Sequence, residues 1–118
     1  MSGRGAPVER PNPWTFLFGA LTASNGWDEL KRAAPNSADQ AWVAITSDPR
    51  RTDHRQHQLK GSLGTANHKG HVLPQWQYEC TGGGRVWYAI DEAERILVMT
   101  HAGTAHPKQT DKPRRKKR

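Results

Sequence analysis

The sequence has a single cysteine, Cys80, which excludes a disulfide framework within the chain. It has no apolar run approaching the roughly 18 residues that a membrane span requires, and nothing resembling a secretory leader. The expected location is therefore the cytoplasm, with no membrane partner. Hydrophobic residues are scarce, at 34% of 118, and Phe and Tyr occur twice each. That rules out a large core, but five tryptophans rule out a wholly disordered chain. One small domain with an aromatic core is the expectation.

Acidic residues are also few, 11 against 18 lysines and arginines, for a net charge of +7. The excess is local. Residues 50–73 and 106–118 together hold 12 of the 18 basic residues and only Asp53 and Asp111 of the acidic ones. A basic loop and a basic tail point to an anionic partner, either nucleic acid or an acidic protein segment.

Residues 1–13, rich in Gly and Pro, read as a disordered arm, and residues 111–118 as a disordered basic tail. Between them, Trp14 to Phe18 reads as a short strand buried on both faces. Thr22 caps a first amphipathic helix that ends at Pro35, with Asn25-Gly26 weakening its early turns. Asn36 or Ser37 caps a second helix, carrying Ala38, Ala41, Trp42 and Ile45 on one stripe and ending at Asp48-Pro49. Residues 50–73 then read as a long loop. Its histidines, His54, His57, His68 and His71, form two HxxH pairs, but without a rigid frame or a thiolate partner they read as solvated loop residues, not as a metal site.

The stretch "QYECTGGGRVWYAID" reads as a hairpin. A three-residue loop at Gly82–Gly84 sets Tyr78 opposite Tyr88 and Trp76 opposite Ile90 on one apolar face, and glycine would supply a positive φ. Continuing with matched faces, Tyr88 meets Val98. Trp87 then meets Met99, and Arg85 meets His101, on the second face. Arg85 and His101 are thus expected side by side on an open sheet face.

This order of elements resembles the RelE/ParE superfamily of toxins from toxin–antitoxin pairs, and within it the RelE-like branch that cleaves messenger RNA. The residues carrying the resemblance are "LKG" (Leu59 to Gly61), the glycine turn running into "RVWYAID", the strand "RILVMTHAG" (Arg95 to Gly103), and "HPKQT" (His106 to Thr110). It covers residues 14–110 and implies a small α+β domain of order β-α-α-β-β-β, with two N-terminal helices on an antiparallel sheet.

It also implies a ribosome-dependent endoribonuclease that uses no metal and no small-molecule cofactor. The ribose 2′-hydroxyl attacks the neighbouring phosphate, and a cognate antitoxin neutralises the protein. The partners would be mRNA on the ribosome, ribosomal RNA and that antitoxin. Under the resemblance Arg85 stabilises the transition state, His101, His106 or Lys108 serve as acid or base, and Lys60 contacts phosphate. Arg51, Lys69, Trp87, Arg114 and Arg115 join Lys60 as RNA-binding candidates, and an antitoxin segment would cover Trp87, Leu97 and Met99. The strand before the glycines carries Trp76, Gln77, Tyr78 and Glu79 where related ribonucleases often carry lysines, and no tyrosine follows Tyr88. The alternative is a noncatalytic binder of the same fold, either a ParE-like gyrase inhibitor or an inactive RNA-binding module.

Overall fold

A computed structural model describes residues 3–105 of the chain. The elements are β1 (Thr15–Phe18), α1 (Leu21–Ala33), α2 (Pro35–Ser47), β2 (Gln56–Gln58), a 3-10 turn (Gly61–Gly64), β3 (Thr65–His68), β4 (His71–Glu79), β5 (Arg85–Asp91) and β6 (Ile96–Gly103). The sheet runs β1-β6-β5-β4-β2, with β3 paired to one end of β4. The expected order of strand, two helices and meander is present, with two short strands added inside the stretch read as loop. All pairings are antiparallel except β1 with β6, which is parallel, so the sheet is mixed.

Both helices pack on one face of the sheet. Ala23, Trp27 and Leu30 recur at helical spacing on α1, and Ala38, Ala41 and Ile45 on α2; all are buried against Trp76, Tyr78, Val86, Tyr88, Ile90, Leu97 and Met99. Neither helix has a side-chain cap. Ala20 and Ala34 hold the N-cap positions, and Pro35, expected to stop α1, instead opens α2 at the first helical position, where its missing N–H costs nothing. Strand β1 is an edge strand, not one buried on both faces: Leu17 is 43% and Phe18 50% exposed.

Gly26 does more than weaken a helix. A Cβ there would stand 1.7 Å from the Ala102 carbonyl oxygen, so the glycine lets α1 lie directly on β6. Gly26→Ala gains about 1 kcal/mol of helix propensity but forces the helix off the strand. The expected outcome is a net loss of about 2 kcal/mol, as for other overpacked cores, seen as a lower midpoint in urea. A higher midpoint would show that the helix has room to retreat.

The stretch read as loop is held by a buried polar contact that hydrophobic patterning does not reveal. Gln56, 1% exposed, donates from Nε2 to the Tyr88 hydroxyl (2.9 Å) and to the Asp48 carbonyl (2.9 Å). The Tyr88 hydroxyl in turn donates to the Pro49 carbonyl (2.7 Å). Burial raises the Tyr88 phenol well above its ordinary value, so it stays a donor.

Candidate nucleic-acid interface

The sheet face away from the helices carries the candidate site, and its registers differ from those expected. Strand β4 pairs with β5 as Trp76↔Tyr88, Gln77↔Trp87, Tyr78↔Val86 and Glu79↔Arg85. The loop has the expected three residues but lies one position earlier, at 81–83. It is closed by Cys80 N–H donating to Gly84 O (2.9 Å) and Gly84 N–H donating to Thr81 Oγ1 (2.7 Å). Tyr78 therefore faces Val86, not Tyr88. Because the shift is two residues in register, the apolar residues keep their face.

None of Gly82, Gly83 and Gly84 has a positive φ. Two of the three are needed for close approach. A Cβ on Gly84 would stand 2.7 Å from Thr81 Oγ1 and 3.1 Å from Leu30 Cδ1, and one on Gly83 would stand 3.0 Å from the Thr104 carbonyl. The Cys80 thiol beside this turn is buried, which pushes its pKa up to about 12 and makes it a poor nucleophile.

The pairing of β5 with β6 contains a bulge. Ile90↔Leu97, Ala89↔Val98 and Tyr88↔Met99 pair in one register, and Trp87↔His101, Val86↔Ala102 and Arg85↔Gly103 in another, with Thr100 as the extra residue. Leu97 and Met99 accordingly lie in the helix-side core, and Val98 on the second face with Ala89 and Leu73. This corrects the expectation that Leu97 and Met99 flank an open surface. The bulge also decides where His101 lies. In the unbroken register it would share the buried face of Met99, and the extra residue turns it to the opposite face. Its cross-strand partner is Trp87, not Arg85.

One rung thus runs across the second face as His57, Gln77, Trp87, His101. Trp87 Nε1 donates to Gln77 Oε1 (2.8 Å), and the indole lies against the His101 imidazole with ring centroids 5.3 Å apart. Trp87 is only 5% exposed. His101 Nε2 is buried without a hydrogen-bond partner, and burial lowers the imidazole pKa below its ordinary 6.5, so the ring is neutral at pH 7. On one side of this rung, Gln75 accepts from Thr100 Oγ1 and donates to the Leu63 carbonyl (2.8 Å), tying the 3-10 turn to the sheet.

On the other side lies Arg85, with its side chain 7% exposed. Its Nη2 pairs with Glu79 Oε2 (2.9 Å), and its Nη1 reaches the carbonyls of Thr81 (3.1 Å), Gly82 (3.3 Å) and Gly84 (3.1 Å). The guanidinium therefore braces the glycine turn from beneath the second face.

The remaining candidates are spread around this face. Lys60 is exposed just before the 3-10 turn. Lys69 is exposed at the β3–β4 turn, where Lys69 and Gly70 both have positive φ (50° and 82°), as a two-residue hairpin loop requires. Arg51 pairs with Asp53 (3.1 Å). Of the four histidines in this region, only His68 and His71 are cross-strand partners. Among the described residues no group of three or more metal-ligating side chains gathers. His106, Lys108, Arg114 and Arg115 lie outside the described residues.

Exposed apolar surface lies elsewhere, beside the edge strand. Leu17, Phe18, Leu21, Trp42 and Val43 are all exposed. A small cleft of about 60 Å³ lies among Phe16, Phe18, Trp27, Trp42 and Met99, beside a larger one of about 270 Å³ between Trp27, Lys31, Ala38 and Trp42.

No protein-family model and no curated protein sequence matches the chain. Solved structures do. The toxin–antitoxin complex RelBE2 of Mycobacterium tuberculosis contains a chain 22% identical, with TM-score 0.54 over 80% of this chain and 99% of that one. A YoeB/ParE toxin from Agrobacterium tumefaciens gives 12% identity and TM-score 0.58 over 78% and 99%. The archaeal RelE–RelB complex of Pyrococcus horikoshii gives 12% and 0.55 over 77% and 93%. The chain has the fold of the RelE/YoeB/ParE toxins.

Proposed function

We propose that this chain is the toxin of a toxin–antitoxin pair and that it cleaves messenger RNA on the ribosome. The observation that carries the reading is the Thr100 bulge, which places a neutral, unpartnered imidazole on the polar face of a RelE-like sheet. A neutral His101 takes the proton of the ribose 2′-hydroxyl as that oxygen bonds to phosphorus. Arg85, ion-paired with Glu79 beneath the same face, is the proposed cation for the charge at phosphorus, and Lys60 and Lys69 meet phosphates at its margins. Arg51 belongs to this RNA-facing set, whereas Trp87, 5% exposed, packs within the face; Arg114 and Arg115 extend the set as a clamp on ribosomal RNA. His106 and Lys108 are the proposed source of the proton for the leaving 5′-oxygen.

The antitoxin is assigned to the adjoining apolar clefts, one between α1 and α2 and one beside β1, not to the polar face. Trp27, Phe16, Phe18 and Trp42 offer apolar seats, with Lys31 and Asp39 at the rim, a pattern suited to an amphipathic segment that folds on binding.

Induction followed by mapping of new RNA ends tests the reading. Cuts within translated codons that leave 5′-hydroxyl ends are the expected result, and intact message sinks it. A second reading, a noncatalytic binder such as a gyrase inhibitor, draws on the full set of partners around Arg85 and on the absence of lysines from β4. DNA damage with intact message would establish that one.

A further inference from the structure

His101 is aimed by its neighbours as well as by the bulge. We propose that Gln77 and Trp87 are positioning residues for His101: the Gln77 carboxamide fixes the indole, and the indole seats the imidazole on the second face of the sheet, oriented to accept a proton. This deepens the cleavage reading and rests on it.

The chain of contacts is continuous and crosses three strands. Gln77, Trp87 and His101 are successive partners in one rung, so their Cβ atoms lie on one face at adjacent-strand spacing, about 5 Å apart at each step. A tryptophan beside a histidine could adopt several rotamers. Here the 2.8 Å bond from Nε1 to Gln77 Oε1 selects one, and in it the ring covers the imidazole at 5.3 Å with a 52° tilt. Gly103, two residues along β6, borders the ring: a Cβ there would stand 3.7 Å from His101 Nε2, in ordinary contact. The imidazole thus lies beside an indole and a glycine, with Nε2 unpartnered.

Few charges face it. On the sheet face, the Glu79–Arg85 pair occupies the next rung, and His57 stands at the far end of the same rung. Helix α1 meets β6 from the other face through Ala23, Gly26, Trp27 and Leu30, while its Asp28 and Lys31 pair with each other in solvent. Strand β1 pairs with β6 only as far as Met99, through apolar residues and Thr15. Removal of the imidazole from water is therefore the main influence on its titration, and the Trp87 indole is the aromatic ring packed against it.

In the step served, the 2′-hydroxyl proton passes to the neutral His101 imidazole as the 2′-oxygen bonds to phosphorus. The P–O5′ bond breaks, and the 5′-oxygen leaves with a proton taken from a separate acid or from water. Rate should then depend on the fraction of neutral His101, falling as pH drops through its pKa.

Two measurements on the full-length protein test the proposal together. The first is an NMR titration of the His101 ring in the wild type, Trp87→Leu, Trp87→Phe and Gln77→Leu. The second is the pH dependence of single-turnover cleavage on programmed ribosomes for the same four proteins. Trp87→Leu should raise the titration midpoint toward about 6.5, the value of a solvated imidazole. Gln77→Leu and Trp87→Phe should raise it less, because a ring remains but its tether is gone. The acidic limb of the rate profile should move upward in step, so that each variant loses most activity relative to wild type near pH 6. If Trp87→Leu does not fold, the other two variants decide. A midpoint unchanged by all the variants would overturn the positioning role, as would a rate limb that ignores a shifted midpoint. Midpoints that move in a protein that cuts no message at any pH would keep the packing role and sink the cleavage reading.

Discussion

Arg85→Ala is expected to destabilise the domain by about 3 kcal/mol, the low end for stripping one partner from a buried ion pair. The low end applies because Glu79 is 34% exposed and can turn to water once abandoned, whereas the Thr81, Gly82 and Gly84 carbonyls lose the donor that lies beneath them. For a domain of this size the melting temperature should fall by more than about 8 °C. Arg85→Lys should recover only part of the loss, since an ammonium cannot bridge a carboxylate and a turn with a planar fork. A melting temperature equal to wild type in the alanine variant would show that the turn holds itself. Any effect of Arg85 on RNA cleavage has to be measured below the melting range of the variant, where the loss of fold and the loss of charge separate.

His101→Ala is expected to behave in the opposite way, leaving the fold and removing the chemistry. Losing a positioned proton acceptor should slow single-turnover cleavage on programmed ribosomes by about a hundredfold or more. That corresponds to about 2.7 kcal/mol of transition-state stabilisation. The melting temperature should change little at pH 7.5, because the deleted ring contributes no hydrogen bond through its buried Nε2. The variant should also change how stability depends on acid. Burial lowers the His101 pKa in the folded state, so the unfolded chain binds the proton more readily. Stability is therefore lost as pH falls below about 6.5, until the folded-state pKa is passed. Without His101 that part of the acid sensitivity should vanish. Cleavage at the wild-type rate by His101→Ala would remove the proposed base.

The sequence shows the helices because their burial stripes are apolar and regular, as at Ala23, Trp27 and Leu30. It shows the length of the glycine turn but not the reason for the glycines. Their neighbours, Leu30 and the Thr104 carbonyl, come from α1 and from the segment after β6, and no local pattern records them. The bulge is hidden for a similar reason. In "ILVMTHA" every alternation is compatible with an unbroken strand, and only the demand to bury Met99 while turning out His101 forces an extra residue at Thr100. Gln56 escaped notice because a buried amide looks, in sequence, like any solvated glutamine until Tyr88 and Asp48 are placed beside it. Of the site, His101 was legible as a residue of the second face, but its partner Trp87 was not, and Arg85 was given a neighbour that the register denies it.

The parallel pairing of β1 with β6 has a consequence for when the protein can exist as such during its synthesis. Among the described strands, the one made first pairs with the one made last, with Thr15 opposite Ile96 and Phe18 opposite Met99. While the ribosome is still producing the middle of the chain, the apolar stripes of α1 and α2 have no completed sheet to lie on, because β6 supplies Leu97, Met99 and Ala102 to their core. Such long-range closure makes folding slow, and the unfinished chain is sticky. An early-made partner would therefore meet a growing chain with its aromatic seats uncovered, and the polar face bearing His101 would assemble only after residue 103 had cleared the exit tunnel.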